Sequence, residues 1–276
     1  MDVSGKTKII GIFGYPIEHT LSPLMHNAAF KTLGLDMCYV AFRVLPEELR
    51  EAVRAIKSLN LPGVNITVPH KEKVIPLLDK VNEEASFIGA VNTIVNSEGI
   101  LTGYNTDGRG FISALSEKKI SIENKDILIL GAGGASRAIN YYLSEKAARL
   151  SLFDIDRSKA ERLISDLNKI RNNAFLLENI KDIDRPDIII NATPLGLKSE
   201  DALPLSPDFI ASEMVVCDLV YKNTSFLQEA EKKGARTIDG SGMLLWQGVL
   251  AFELWTGLKP PVDVMRKALL SAIEKG

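Results

Sequence analysis

Gly131, Gly133 and Gly134 stand directly after the apolar run Ile127 to Leu130 and directly before a helical pattern that opens at Ser136. The run has no polar alternation, as in a strand buried on both faces. Strand, glycine turn and helix together can bind a pyrophosphate. Gly131 makes the turn, Gly133 lets the backbone approach the phosphates, and the helix start offers free N–H groups and partial positive charge. The third glycine of the usual pattern is replaced by Ser136. A second apolar run, Leu150 to Phe153, ends in Asp154, about twenty residues past the glycines, where an acid can accept a hydrogen bond from a ribose hydroxyl. The combination implies dinucleotide binding; a purely structural turn is the alternative.

Other polar residues sit where elements begin or end. Thr20 and Ser22 precede a predicted helix, with Ser22 as its N-cap and Pro23 at its first position. Two hydroxyls beside free amides suit a carboxylate, although Ser22 as a plain cap is the simpler local reading. Leu24, Ala28 and Leu33 give that helix its expected buried stripe, and Gly34 ends it. Val64, Ile66 and Val68 alternate with Asn65 and Thr67, so Gly63 onward reads as a strand with one polar face, ended by Pro69. Lys71 then lies just past a strand end, at an expected helix start. Thr93 to Asn96 and Ile100 to Tyr104 form a hairpin closed through Gly99. Asp107 reads locally as the N-cap of the next helix.

The frame for these groups follows from length and pattern. The chain has 276 residues, of which 46% are hydrophobic and 25% charged, with a net charge of −2. That composition describes a water-soluble globular protein of one large or two ordinary domains. It gives no basic footprint for nucleic acid or an anionic membrane. No apolar stretch approaches a membrane span or a signal peptide's hydrophobic core. Cys38 and Cys217 lie far apart, and His19, His26 and His70 are scattered, so no metal is expected and a reduced, cytoplasmic setting is. After Asp154 the α/β alternation continues through strands at Ala174–Leu177, Ile188–Asn191, Met214–Leu219 and Thr237–Ile238. A long helix follows from Met243, with Leu244, Gly248, Phe252 and Trp255 on one face, and a last helix covers Val262 to Lys275.

The stretches GYPIEHTLSP, GVNITVPHK, GAVNT, NTDG, GAGGASRA, NATPLG, DLVY and GSGMLLWQ occur in this order along nearly the whole chain. In that series the sequence resembles the shikimate dehydrogenases. The resemblance implies an α/β fold of two domains with a cleft between them. Residues 1–107 with 243–276 would form a discontinuous substrate-binding and catalytic domain, and residues 108–242 a doubly wound Rossmann-type dinucleotide domain. It implies Lys71 and Asp107 as the catalytic pair flanking the hydroxyl that is oxidised. Whether Lys71 is the base or positions the hydroxyl stays open. It assigns Thr20 and Ser22 to the substrate carboxylate with Tyr221 nearby, and Thr67, Asn92 and Gln247 to the ring hydroxyls. The expected cofactor contacts are Gly131, Ala132, Gly133, Gly134, Ala135, Asp154, Asp156, Arg157, Thr193, Leu219, Gly242 and Met243. The implied activity is reversible reduction of 3-dehydroshikimate to shikimate on the route to chorismate. A catabolic quinate/shikimate dehydrogenase and a non-catalytic sensor of NAD or a shikimate-like acid are the competing readings. Relatives occur as dimers or monomers, so a homodimer is open.

Two departures from the family pattern carry their own expectations. Thr20-Leu21-Ser22 replaces Ser-x-Ser, and the added methyl either tightens the pocket or shifts the preference between shikimate and quinate. NADP-using relatives carry Asn-Arg-Thr after the second strand of the dinucleotide domain; here the loop is Asp154-Ile155-Asp156. A carboxylate accepts from a ribose 2′-hydroxyl and repels a phosphate there. NAD is therefore expected over NADP, with dual use open through Arg157, Lys159 or Arg137.

Overall fold

The computed structural model describes residues 3–180, 183–198 and 200–275. The chain divides into two compact units, Met1–Thr106 with Leu245–Gly276, and Asp107–Leu244.

The first unit is built on a six-stranded mixed sheet. Its strands are β1 (Lys8–Gly14), β2 (Met37–Arg43), β3 (Gly63–Ile66), β4 (Lys80–Val81), β5 (Thr93–Ser97) and β6 (Ile100–Tyr104). The spatial order is β2-β1-β3-β5-β6-β4. β1 pairs in parallel with β2 and β3, whereas β3–β5 and β5–β6 are antiparallel. The hairpin turns at Glu98 and Gly99, both at positive φ, and Asn96 Oδ1 accepts from the Gly99 N–H. Two elements have no counterpart in the expected pattern: β4 and the short helix α3 (Glu83–Ile88), capped by Asn82.

Several local expectations give way. Helix α1 (Ser22–Thr32) has Ser22 inside its first turn, Leu21 at the cap position and no side-chain cap bond. Its buried face is Ser22, Met25, His26, Ala29 and Phe30, while Leu24 and Leu33 are exposed. The expected stripe was offset by one position because His26 counts as polar in sequence and as an aromatic plate in the fold. β3 ends at Ile66, both its faces are buried, and Val68 lies out in solvent. Lys71 sits in an irregular turn rather than at a helix start. On the last long helix, α8 (Ser241–Thr256), the buried residues are Leu245, Gly248, Val249, Ala251 and Phe252.

His26 is fully buried, and neither ring nitrogen finds a hydrogen-bond partner among the described residues. Its ring stacks on Tyr39 at 4.5 Å between centroids and lies parallel to Phe252 at 6.4 Å. Burial lowers its pKa from 6.5 to about 3. The folded chain thus keeps His26 neutral where the unfolded chain takes up a proton. Folding stability is complete above pH 6.5 and falls as pH drops toward 3, by about 1.4 kcal/mol per unit for this group. Denaturant titrations at pH 7 and 5 should show His26→Phe losing about 2 kcal/mol less than the parent chain. Equal losses would remove His26 from the acid sensitivity.

The second unit is a six-stranded, all-parallel sheet in the order β12-β11-β10-β7-β8-β9. The strands are β7 (Asp126–Leu130), β8 (Arg149–Phe153), β9 (Ala174–Leu176), β10 (Ile188–Asn191), β11 (Val215–Asp218) and β12 (Arg236–Ile238). The chain winds one way through β7, β8 and β9, then the other way through β10, β11 and β12. This is the doubly wound order, and ligands bind where the winding reverses, beyond the carboxyl ends of the central strands. Those strands are β7 and β10, paired through Leu130 and Asn191. Helix α4 (Asp107–Glu117) packs against α5 (Gly134–Lys146), and a side chain at Gly108 would overlap the Ala138 carbonyl.

Candidate active site

At the reversal point the glycine turn is shaped for a ligand. Gly131 has φ +98°, which favours glycine, and a Cβ there would lie 3.0 Å from the Ala192 carbonyl of the neighbouring loop. A Cβ on Gly133 or Gly134 would meet nothing within 4 Å. α5 starts at Gly134, two residues before the expected Ser136, and its N-cap Gly133 makes no side-chain cap bond. The first turn therefore presents the backbone of Gly134 and Ala135 at an open helix start, as a bound pyrophosphate requires. The residues fit the dinucleotide.

Asp154 has a dual position. Its Oδ2 accepts from the Ala132 N–H at 2.6 Å, and its Oδ1 from the Asp156 N–H at 2.7 Å. The acid thus ties the glycine turn to the loop after β8, and the Ala132 N–H points at Asp154. Asp156 caps α6 (Arg157–Leu167) by accepting from the Lys159 N–H, and also takes the Ser158 hydroxyl. Those bonds hold its carboxyl below the usual range, the Ser158 hydroxyl contributing most. Arg157 pairs with Glu161 and Glu178, and Ile155 is 97% exposed.

The other expected dinucleotide contacts also sit near strand ends. Thr193 follows β10, and its hydroxyl donates to Asn191 Oδ1 at 2.6 Å. Asn191 in turn donates to Asp218 Oδ1 at 3.1 Å. Asp218 is buried, which raises its carboxyl, and it also accepts from the Val220 N–H and the Thr224 hydroxyl. Leu219 and Tyr221 follow β11 and are half-buried. A side chain at Gly240 would overlap the Leu219 carbonyl, and Gly242 and Met243 begin α8 close beyond it.

The first unit contains Thr20, Ser22, Thr67, Lys71, Asn92 and Gln247. Thr67 and Lys71 follow β3; the Thr67 N–H donates to the Phe13 carbonyl, and the Lys71 carbonyl accepts from Val91 N–H at 2.8 Å. Asn92 is buried; its Oδ1 takes the Thr106 N–H at 2.8 Å, and its Nδ2 donates to the Thr106 hydroxyl at 2.9 Å. The Thr106 hydroxyl reaches the Gln247 carbonyl at 3.1 Å. Asn92, Thr106 and Gln247 are thereby fixed to one another. Asp107 follows directly and is the first residue of α4, at 8% exposure.

Sequence reasoning passed over Asn65, Thr106 and Tyr39. Asn65 bonds Asn92 and Thr93, and it lies within the GVNITVPHK stretch as Thr106 lies within NTDG. Tyr39 stands in an ordinary strand pattern, and nothing in the sequence around it marks it. Among the described residues no group of three or more His, Cys, Asp or Glu is placed to hold a metal ion.

Comparison with known proteins agrees with this geometry. Residues 12–94 match the family model described as the shikimate dehydrogenase substrate binding domain, and residues 240–270 the shikimate 5′-dehydrogenase C-terminal domain. The shikimate dehydrogenase (NADP(+)) of Desulforamulus reducens is 46% identical, covering 99% of this chain and 98% of its own. A shikimate dehydrogenase solved with NADP+ superposes with a TM-score of 0.92 at 40% identity, over 98% of this chain and 97% of its own. The Listeria monocytogenes shikimate 5-dehydrogenase, solved with shikimate and NAD, gives 0.90 at 39%, over 97% and 98%. With an all-parallel doubly wound sheet, a glycine turn open to a dinucleotide and relatives matched end to end, this chain belongs to the shikimate dehydrogenase family.

Proposed function

We propose that this chain catalyses the reversible, nicotinamide-dependent interconversion of 3-dehydroshikimate and shikimate in chorismate biosynthesis. The observation that carries the reading is the buried lock of Asn92 on Thr106, and of the Thr106 hydroxyl on the Gln247 carbonyl, which fixes the positions of residues suited to a polyhydroxylated ring. Thr20 and Ser22 take the carboxylate, with Tyr221 assisting. Thr67, Asn92 and Gln247 take the ring hydroxyls. Oxidising a secondary alcohol removes a hydride from carbon and a proton from oxygen. The nicotinamide, when bound, accepts the hydride. Lys71 and Asp107 manage the proton, and their retention separates an enzyme from a sensor, which has no use for a proton-handling pair. No helix among the described residues is long and apolar enough to cross a membrane, and the reading places the reaction in the cytoplasm.

For the cofactor we propose NAD. A 2′-phosphate has to approach Asp154, whose charge opposes it. Arg157, the nearest cation in sequence, is engaged by Glu161 and Glu178. Those ion pairs are exposed and therefore weak, so Arg157 remains recruitable and NADP usable. The name of the Desulforamulus reducens relative favours the second reading, NADP as the working cofactor.

Steady-state oxidation of shikimate and of quinate, each with NAD+ and NADP+, tests the whole proposal. Turnover of shikimate with higher kcat/KM for NAD+ is expected. A preference for NADP+ would overturn the cofactor reading alone. Efficient use of quinate would move the chain to the catabolic branch, and Thr20, with its extra methyl, is where that change would originate. Binding without turnover would support the sensor.

A further inference from the structure

Asp218 ends β11 at 1% exposure, and three groups give protons to its carboxylate. Its Oδ1 accepts from the Asn191 amide at 3.1 Å and from the Val220 N–H at 3.0 Å, and its Oδ2 accepts from the Thr224 hydroxyl at 2.8 Å. The Asn191 amide is oriented by its other neighbours. Its Oδ1 accepts from the Thr193 N–H at 3.1 Å, and its Nδ2 donates to the Leu195 carbonyl at 3.0 Å. Neither backbone group can reverse its role. Asn191 therefore offers Asp218 a proton, and only an acceptor answers it.

From Asp218 the ties run into the loops at the carboxyl ends of three strands. Through Asn191 they reach Thr193, whose hydroxyl donates to Asn191 Oδ1 and accepts from the Leu195 N–H at 3.2 Å. Through Val220 they reach the turn before α8, because the Val220 carbonyl takes the Gly240 N–H at 3.0 Å. Through Thr224 they reach the start of α7 (Ser225–Lys232), on which the loop after β10 is closely packed: a Cβ on Gly196 would lie 3.0 Å from Thr224 Cγ2. The sheet order puts β8, with Asp154 just past its end, on one side of β7, and β10, β11 and β12 on the other. A dinucleotide with its pyrophosphate on the glycine turn and its adenosine ribose toward Asp154 extends its nicotinamide riboside over β10 and β11.

We propose that Asp218 is a positioning residue for the nicotinamide half of the cofactor. Its buried carboxylate holds the loops after β10 and β11, with Thr193 and Leu219, in the shape that receives the nicotinamide riboside, without itself touching the cofactor. This rests on the dinucleotide reading given above. A carboxylate suits the task because charge-assisted hydrogen bonds are stronger than neutral ones, and one such group serves both loops and the start of α7. Without it the Asn191 amide loses a buried acceptor, and the arriving nicotinamide riboside has to order the loops that Asp218 otherwise keeps in place.

The test compares dissociation constants, by calorimetry, for NAD+ and ADP and for NADP+ and 2′-phospho-ADP. Each pair shares its adenine end and differs by the nicotinamide riboside, so the comparison holds whichever cofactor the chain prefers. Asp218→Ala should weaken the dinucleotide about tenfold, the scale of one charge-assisted hydrogen bond left unmade, and leave the matching diphosphate within about twofold. Asp218→Asn keeps an acceptor oxygen for Asn191 and Val220, and should bind the dinucleotide within about threefold of the parent chain. Asn191→Ala cuts the link to Thr193 with the carboxylate left in place. It should give the same split between dinucleotide and diphosphate, and it keeps the test open where Asp218→Ala does not fold. The double variant should lose no more than the larger single loss, because both changes act along one route. A general loss of packing lowers the fraction of protein that binds, which the stoichiometry reads, or weakens all four ligands alike. Equal weakening of dinucleotide and diphosphate, unchanged affinity in Asp218→Ala and Asn191→Ala, additive losses in the double variant, or no restoration by Asp218→Asn would overturn the proposal alone. A parent chain that binds neither dinucleotide overturns the dinucleotide reading and the proposal with it.

Discussion

Lys71→Ala should lower kcat for shikimate oxidation by about 10²–10⁴, with a much smaller change in KM, the scale of an acid–base group. The backbone explains why the position is exact enough for that task. The Lys71 carbonyl is bonded by the Val91 N–H, so the turn after β3 is stitched to the residue preceding Asn92. The residue proposed to handle the proton and the residue proposed to hold a ring hydroxyl thus share a strap of backbone. Two roles remain distinguishable by experiment. A lysine that takes the proton itself contributes an ionisation to the pH–kcat profile, and that limb disappears in Lys71→Ala. A lysine that only orients the hydroxyl leaves the limb in place while lowering the plateau. An unchanged kcat would exclude Lys71 from the chemistry.

The dinucleotide half was open to sequence reasoning because its chemistry is local. The turn at Gly131, the open Cβ positions of Gly133 and Gly134 and the acid at Asp154 all lie within one strand–helix–strand unit. Spacing along the chain then equals spacing in space. The substrate half was less open because its order is non-local. Asn92 meets Thr106 across 14 positions of chain, and Thr106 meets Gln247 across 141. Tyr39 meets Asn65 across 26. No periodicity encodes such pairs. His26 shows the same limit from another side: pattern counting treats it as polar, whereas stacking on Tyr39 makes it part of the core and moves the buried face of α1 by one residue. Ser22 reads as a cap because Pro23 follows it, but in the fold it lies inside the first turn of α1, with Leu21 at the cap position and no side-chain cap bond. Asp156, expected beside the cofactor, also caps α6, a role its type and spacing permit.

Asp154→Ala should raise KM for either cofactor by about 100-fold while kcat at saturation stays within a fewfold. Two backbone N–H groups, those of Ala132 and Asp156, give their protons to this one carboxylate. Hydrogen bonds to a charged group are worth about 1.5–3 kcal/mol each, and about 1.4 kcal/mol is a factor of ten. The lower figure for both bonds together, about 3 kcal/mol, accounts for two decades. The loss falls on cofactor binding because the glycine turn is what Asp154 holds, whereas Lys71 and Asn92 belong to the other unit. Asp154→Asn separates holding from charge. The amide keeps one acceptor oxygen, so the turn is partly retained, but the negative charge facing a 2′-phosphate is gone. The ratio of kcat/KM for NAD+ over NADP+ should then fall about tenfold, through a gain with NADP+ relative to NAD+. A ratio that does not move would show that Asp154 acts only as the strut between the glycine turn and the loop after β8. Discrimination would then have to lie in the ion pairs of Arg157 with Glu161 and Glu178, and Glu178→Gln, which loosens Arg157 without touching the turn, should raise kcat/KM for NADP+ alone.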